Sequence, residues 1–153
     1  MNQSAMTPDH VINTLNGLIE LNRDGQKGFQ EAAEKMEAPE LKTFCLEQSR
    51  SRTHFVGELQ TQVHSLGREP EDSGTVSGAL QRGWLNLKAA LGGGDHAILE
   101  TTESAEDHAL DTYRTALTES LPADVREIAE RQLESIKLSH DKVKTLRYSL
   151  ERQ

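Results

Sequence analysis

Glu106-Asp107-His108-Ala109-Leu110-Asp111-Thr112-Tyr113 is the stretch from which the fold can be read. Ala109 and Tyr113 follow Glu106 at intervals that return to one face of an α-helix, and Ile98, Thr102 and Leu117 fall on the same line. The line is apolar except where Glu106 interrupts it. A charged carboxylate in an apolar seam costs several kcal/mol unless it is paired, protonated or bound to a cation. The stretch therefore predicts a helix packed against others, with something polar waiting for Glu106 inside.

Outward from this helix, chain punctuation falls at few places: Pro8, Pro39, Pro70, Gly92-Gly93-Gly94 and Pro122. Few strand-like alternations lie between them, so the segments read as helices. Thr7-Pro8-Asp9 supplies an N-cap, a proline at the first helical position and an acid in the first turn, predicting helix one over about 8 to 37. Pro39 opens helix two, which runs to about 66, where Gly67 gives the left-handed stop. Helix three is short, about 75 to 91. Asp95 caps helix four, about 95 to 119, and Pro122 opens helix five, about 122 to 150. The four long segments have similar lengths of roughly 38 to 45 Å. Tight linkers make helices one and two, and helices four and five, antiparallel hairpins. The long stretch between the hairpins is a crossover along a four-helix bundle. The expectation is one all-α domain over 1–153.

Each long helix carries an apolar stripe broken by polar residues. Helix one presents Leu15, Leu18, Phe29, Ala32, Ala33 and Met36, with Asn22 on the line. Helix two presents Leu41, Phe44, Cys45, Phe55, Leu59, Val63 and Leu66, with Gln48 and Arg52. Helix five presents Val125, Ala129, Leu133, Ile136, Val143 and Leu150, with His140 at its edge. The interruptions lie at comparable depths, and one shared polar cluster is more economical than four separate defects.

Leu, Ile, Val and Phe make up 33 of 153 residues, close to the composition at which chains stop burying enough apolar surface to fold. Patterning must therefore supply the core. Seventeen Lys and Arg against 25 Asp and Glu leave a formal charge of −8, which repels phosphate backbones and anionic lipid surfaces. Nucleic acid and membrane are accordingly not expected as partners. Met1 to Met6 has neither a basic nor an apolar leader region, and no run approaches a membrane span, so the expected location is cytoplasmic. Cys45 is the single cysteine and reads as a small core residue. The chain contains neither a Gly-x-Ser-x-Gly elbow nor a phosphate-cradling glycine loop, and Gly92-Gly93-Gly94 reads as a hinge.

With the segments Leu18 to Phe29 and Glu106 to Tyr113 in view, the chain resembles the ferritin-like superfamily, and within it the small bacterial four-helix-bundle proteins of unknown function. The resemblance spans about 10 to 150. It rests on Glu106 followed seven residues later by Tyr113, the same spacing between Asn22 and Phe29, and His54 placed ahead of Leu66-Gly67. It implies a ferritin-like bundle whose centre, in metal-bearing relatives, holds two divalent ions. Here Asn22 stands for one carboxylate, Ser51 for the glutamate paired with His54, and Lys137 for the one paired with His140. Three of six ligands remain, whereas a two-metal centre needs about four acids.

Two readings of the interior follow. In one, Asn22, Gln48, Arg52, Glu106, Tyr113, Lys137 and His140 form a buried polar network, no cofactor is needed, and the protein is a non-catalytic structural or interaction protein. In the other, Glu106, His140 and His54 hold one divalent ion, iron, zinc or manganese, in a metal-binding or oxidoreductase-type site. Arg52 points inward along the stripe of helix two and His54 lies nearer its flank. Glu47, Glu103, Asp24 and Glu134 sit off their stripes and read as solvated acids. His10, His64, His96 and His108 read as surface residues. Lys137, Lys142, Lys144 and Arg147 give the last helix a basic excess that suits its C-terminal dipole. Trp84, Leu80, Leu87 and Leu91 share one side of helix three, which either caps the bundle or, through Trp84 or Leu85, edges a homodimer contact.

Overall fold

The computed structural model describes residues 7–70, 84 and 86–152. Among them the chain is all-helical: α1 (Pro8–Lys35), α2 (Pro39–Ser65), the single turn α3 (Leu87–Ala90), α4 (Gly94–Leu117) and α5 (Ala123–Glu151). The four long helices begin and end within two residues of the sequence reading. The expected helix over 75–91 falls mostly outside the described residues, which include Trp84 and 86–91 of it.

Local chemistry accounts for the ends. Thr7 Oγ1 accepts from His10 N at 3.2 Å, satisfying one of the donors a helix start leaves open, and Pro8 has no N–H to satisfy. At the end of α2, Gly67 takes φ +81°. Its N–H reaches His64 O at 2.9 Å and the next N–H, of Arg68, reaches Val63 O at 3.2 Å, the two-bond glycine stop. Asp95 does not cap α4. The cap is Gly93, and the Asp95 carboxylate instead accepts from Glu37 N at 2.8 Å and Ala38 N at 3.1 Å. It pins the α1–α2 linker to the start of α4, because that linker's amides have no helical partner of their own.

Contacts along the helices set their directions. Gly25 meets Arg52, Ser49 bonds Gln26 and Lys42 bonds Ala33, so α1 and α2 are antiparallel. Glu106 meets Ser139, Tyr113 meets Gln132 and Glu103 meets Arg147, so α4 and α5 are too. Asn22 bonding Tyr113, with Asp95 at the α1–α2 linker, makes α1 and α4 antiparallel. Arg52 with Ser139 and Glu58 with Arg131 does the same for α2 and α5. Hence α2 and α4 run in the same direction on opposite corners, so the end of α2 and the start of α4 lie at opposite ends of the helices.

The interior divides into two apolar clusters. One gathers Leu15, Leu18, Leu59, Tyr113 and Ile136; the other gathers Phe29, Met36, Cys45, Ile98 and Val143. Trp84 joins the second, 8% exposed, edge-on to Phe29 with ring centroids 5.4 Å apart. Gly28 makes room for it: a Cβ there would lie 2.5 Å from the indole. Trp84 is thus committed to the core, while Leu80 and Leu85 lie outside the described residues. Burial pushes the Cys45 thiol up to about 12, with Asp95 and Glu106 adding to the effect, so the thiol stays protonated at neutral pH.

Candidate functional site

Between the two apolar clusters lies a charged layer. Arg52 from α2 and Glu106 from α4 face each other across the diagonal of the bundle, their side chains 3% and 1% exposed. Nη1 donates to Oε1 at 2.8 Å and Nη2 to Oε2 at 2.9 Å, the two-pronged geometry of the strongest guanidinium–carboxylate contacts. Ser139 of α5 accepts from Nη2 at 2.9 Å, and its hydroxyl also donates to Glu106 Oε2 in a very short contact. The Phe29 ring of α1 lies under the guanidinium, 5.0 Å from its centre. Gly25 leaves space for the arginine stem, 3.4 Å from where a Cβ would stand. All four long helices therefore shape the pocket around one cation and one anion. Arg52 Nε is buried without a hydrogen-bond partner among the described residues.

Two turns away a second, neutral layer links the same helices. Asn22 Nδ2 donates to Tyr113 Oη at 2.7 Å and to Leu18 O at 2.8 Å. Tyr113 donates on to Gln132 Oε1 at 2.6 Å. Gln132 Nε2 donates to Glu58 Oε1 at 2.9 Å, which brings the chain of bonds out to the rim, where Arg131 Nη1 also bonds Glu58 Oε2 at 2.9 Å. Burial raises the Tyr113 phenol far above its ordinary value, only partly offset by the bond from Asn22 and the charge of Arg52. It therefore remains a neutral hydroxyl that accepts once and donates once.

The structure turns four residues of the expected polar set inward, but in two layers rather than the single cluster expected, Arg52 with Glu106 and Asn22 with Tyr113, and leaves three aside. Gln48 is half-buried; its neighbour Ser49 takes the inward place and donates to Gln26 O at 2.9 Å. Lys137 is exposed, one residue and thus about 100° around the helix from inward-facing Ile136. His140 is likewise one residue past Ser139, and its Nε2 lies 2.7 Å from Asp107 Oδ1 on the outer side. On the last helix, Gln132 and Ser139 are interior polar residues absent from the expected set. They fall on the stripe through Val125, Ala129, Ile136 and Val143, which was the available signal.

Glu106, His140 and His54 do not meet. The His54 side chain is 72% exposed and sits 3.6 Å from Glu58, while His140 faces Asp107. A two-ion centre of ferritin-like type does not fit these residues either. Both oxygens of Glu106 are engaged by Arg52, a fixed cation in the position a metal would need, and the other inward polar groups are neutral.

Among the described residues, no helix is long and apolar enough to cross a membrane. No curated protein matches the chain. A family model described as a domain of unknown function, DUF2383, matches residues 10–119. That span runs from α1 through α4 and carries Asn22, Arg52, Glu106 and Tyr113. At well over half of the sequence, it places the chain in the DUF2383 family.

Proposed function

We propose that the protein is a non-catalytic structural or interaction protein on a ferritin-like four-helix bundle, with a buried polar network in place of the two-metal centre. The observation that carries this reading is the Arg52–Glu106 pair, closed on both oxygens and shielded from water. A ferritin-like assignment is supported by the two antiparallel hairpins joined by one crossover, and by the seven-residue spacing of Asn22 to Phe29 and Glu106 to Tyr113. A buried ion pair adds little net stability over an apolar pair of the same shape, yet leaving either member alone is costly. Its contribution is selectivity. Sliding one helix by a turn against the others would strand a guanidinium, a carboxylate or an amide in an apolar layer, so a single register is kept. The formal charge of −8 favours protein partners, a second copy of the chain included, over nucleic acid or anionic membrane, in a bacterial cytoplasmic setting.

The test replaces Arg52 by Met and Glu106 by Leu together. The double variant should retain its helicity while losing uniqueness, read as poorer amide dispersion by NMR or a mixed oligomeric state by light scattering. Unchanged dispersion and oligomeric state would overturn the register role. Loss of a bound ion from this variant would favour the interior metal reading instead.

A further inference from the structure

The outer groove of the α4–α5 hairpin carries a second cluster that the central layers do not use. Glu103 and Asp107 stand one turn apart on α4, and His140 comes from α5 opposite them. One ligand-capable atom from each of the three lies within 4.8 Å of the others. The two carboxylates border an open recess of about 290 Å³ walled by Glu100, Glu103, Ser104, Asp107 and Arg147. His140 is held at both nitrogens: Nε2 is 2.7 Å from Asp107 Oδ1, and Nδ1 is 3.1 Å from Asp141 Oδ1. Arg147 Nε donates to Glu103 Oε1 at 2.6 Å, which fixes that carboxylate, while Glu151 takes another arm of the same guanidinium at 2.6 Å.

An imidazole oriented by a carboxylate on one nitrogen and aimed at further carboxylates with the other is the arrangement that prepares a histidine as a metal ligand. Where Nδ1–H is given to Asp141, a metal ion between Nε2 and the Asp107 carboxylate would take the place that a proton otherwise holds. Glu100, Glu103, Asp107 and Asp141 outnumber Arg147, so the groove attracts cations. We propose that Glu103, Asp107 and His140 form a surface site for one divalent transition-metal ion, with water completing its coordination and zinc preferred over manganese and magnesium. One nitrogen and two oxygens form a borderline donor set, and the first-row stability order places zinc above manganese for it. At zinc–ligand distances of about 2.0–2.2 Å the ligand atoms stand about 3.4 Å apart. Asp107 and His140 would separate by several tenths of an ångström, which side chains at the edge of a groove can do without moving a helix.

This site is independent of the register reading. Isothermal titration of the full, tag-free chain near neutral pH with zinc, manganese and magnesium chlorides tests it. The expected result is one zinc per chain, weaker manganese and no saturable magnesium. His140→Ala and Asp107→Asn should each weaken zinc about tenfold or more. His54→Ala and the Arg52→Met/Glu106→Leu double variant should bind as the parent does. A zinc-dependent shift of the His140 ring resonances in the unmodified protein reads the same contact without relying on a variant that folds. The proposal is overturned if zinc fails to saturate by about 1 mM, if His140→Ala binds unchanged, or if the His140 resonances stay put. Loss of binding in His54→Ala would also overturn it, by placing the ion elsewhere.

Discussion

Removing one member of the Arg52–Glu106 pair should be far worse than removing both. The Arg52→Met variant leaves a carboxylate at 1% exposure with only the Ser139 hydroxyl to solvate it. Glu106→Leu leaves a guanidinium at 3% exposure against Ser139 and the Phe29 face. Stranding a buried charge costs about 3–5 kcal/mol. A chain of this size loses about 2–4 °C in Tm per kcal/mol, so each single variant should melt about 6–20 °C lower. The double variant replaces a charged pair by an apolar one, and Ser139 retains an acceptor in Ile136 O at 3.0 Å. Its stability should lie near the parent's or exceed it by about 1–4 kcal/mol. Urea unfolding of the four proteins completes a double-mutant cycle, in which the coupling should far exceed the about 0.5 kcal/mol expected of independent sites. Two single variants that each cost less than about 1 kcal/mol, with effects that simply add, would refute the claim that the pair is desolvated and mutually dependent.

Other residues make sharper local tests. Tyr113→Phe removes the hydroxyl that Asn22 and Gln132 share, leaving two buried amides short of a partner, so urea unfolding should show a loss of about 1–3 kcal/mol. Gly28→Ala drives a methyl into the Trp84 ring, where the Cβ would stand 2.5 Å away. A loss of about 1–3 kcal/mol and a changed tryptophan emission should follow, and an unchanged spectrum would contradict the observed packing. Burial acts to raise the Glu58 carboxyl, but the bonds from Gln132 and Arg131, with the charges of Arg131 and His54, hold it below its ordinary 4.5. A carboxyl depressed in the folded state contributes stability that is fully present above pH 4.5 and is lost as pH falls through the folded value. Glu58→Gln should therefore flatten the decline in urea midpoint on acidification below about pH 4.5, and an equally steep decline would remove Glu58 as a cause.

Helix limits were legible because they depend on neighbours in the chain. Thr7-Pro8 and Leu66-Gly67 act through bonds spanning three to five residues, and the chain alone supplies both partners. The facing of Asn22, Arg52, Glu106 and Tyr113 was legible for a related reason: a period of 3.6 residues converts position in the sequence into an angle around the axis. The same rule, followed strictly on the last helix, leads from Val125 through Ala129 to Gln132, Ile136, Ser139 and Val143. Lys137 and His140, singled out by the family's ligand spacing, each lie one residue beyond an inward position.

Chain order alone did not pair the inward groups. Whether Glu106 meets Arg52, His54 or His140 depends on the relative height and rotation of helices separated by tens of residues, which their packing settles. Asp95 shows the same limit, since its partners Glu37 and Ala38 belong to a linker that only the assembled bundle brings near it. The Glu103, Asp107 and His140 groove arises likewise where α4 and α5 lie side by side, and no one helix contains it. By itself the sequence determined four amphipathic helices and the polar residues they turn inward, through short-range geometry; tertiary packing decided which charges meet.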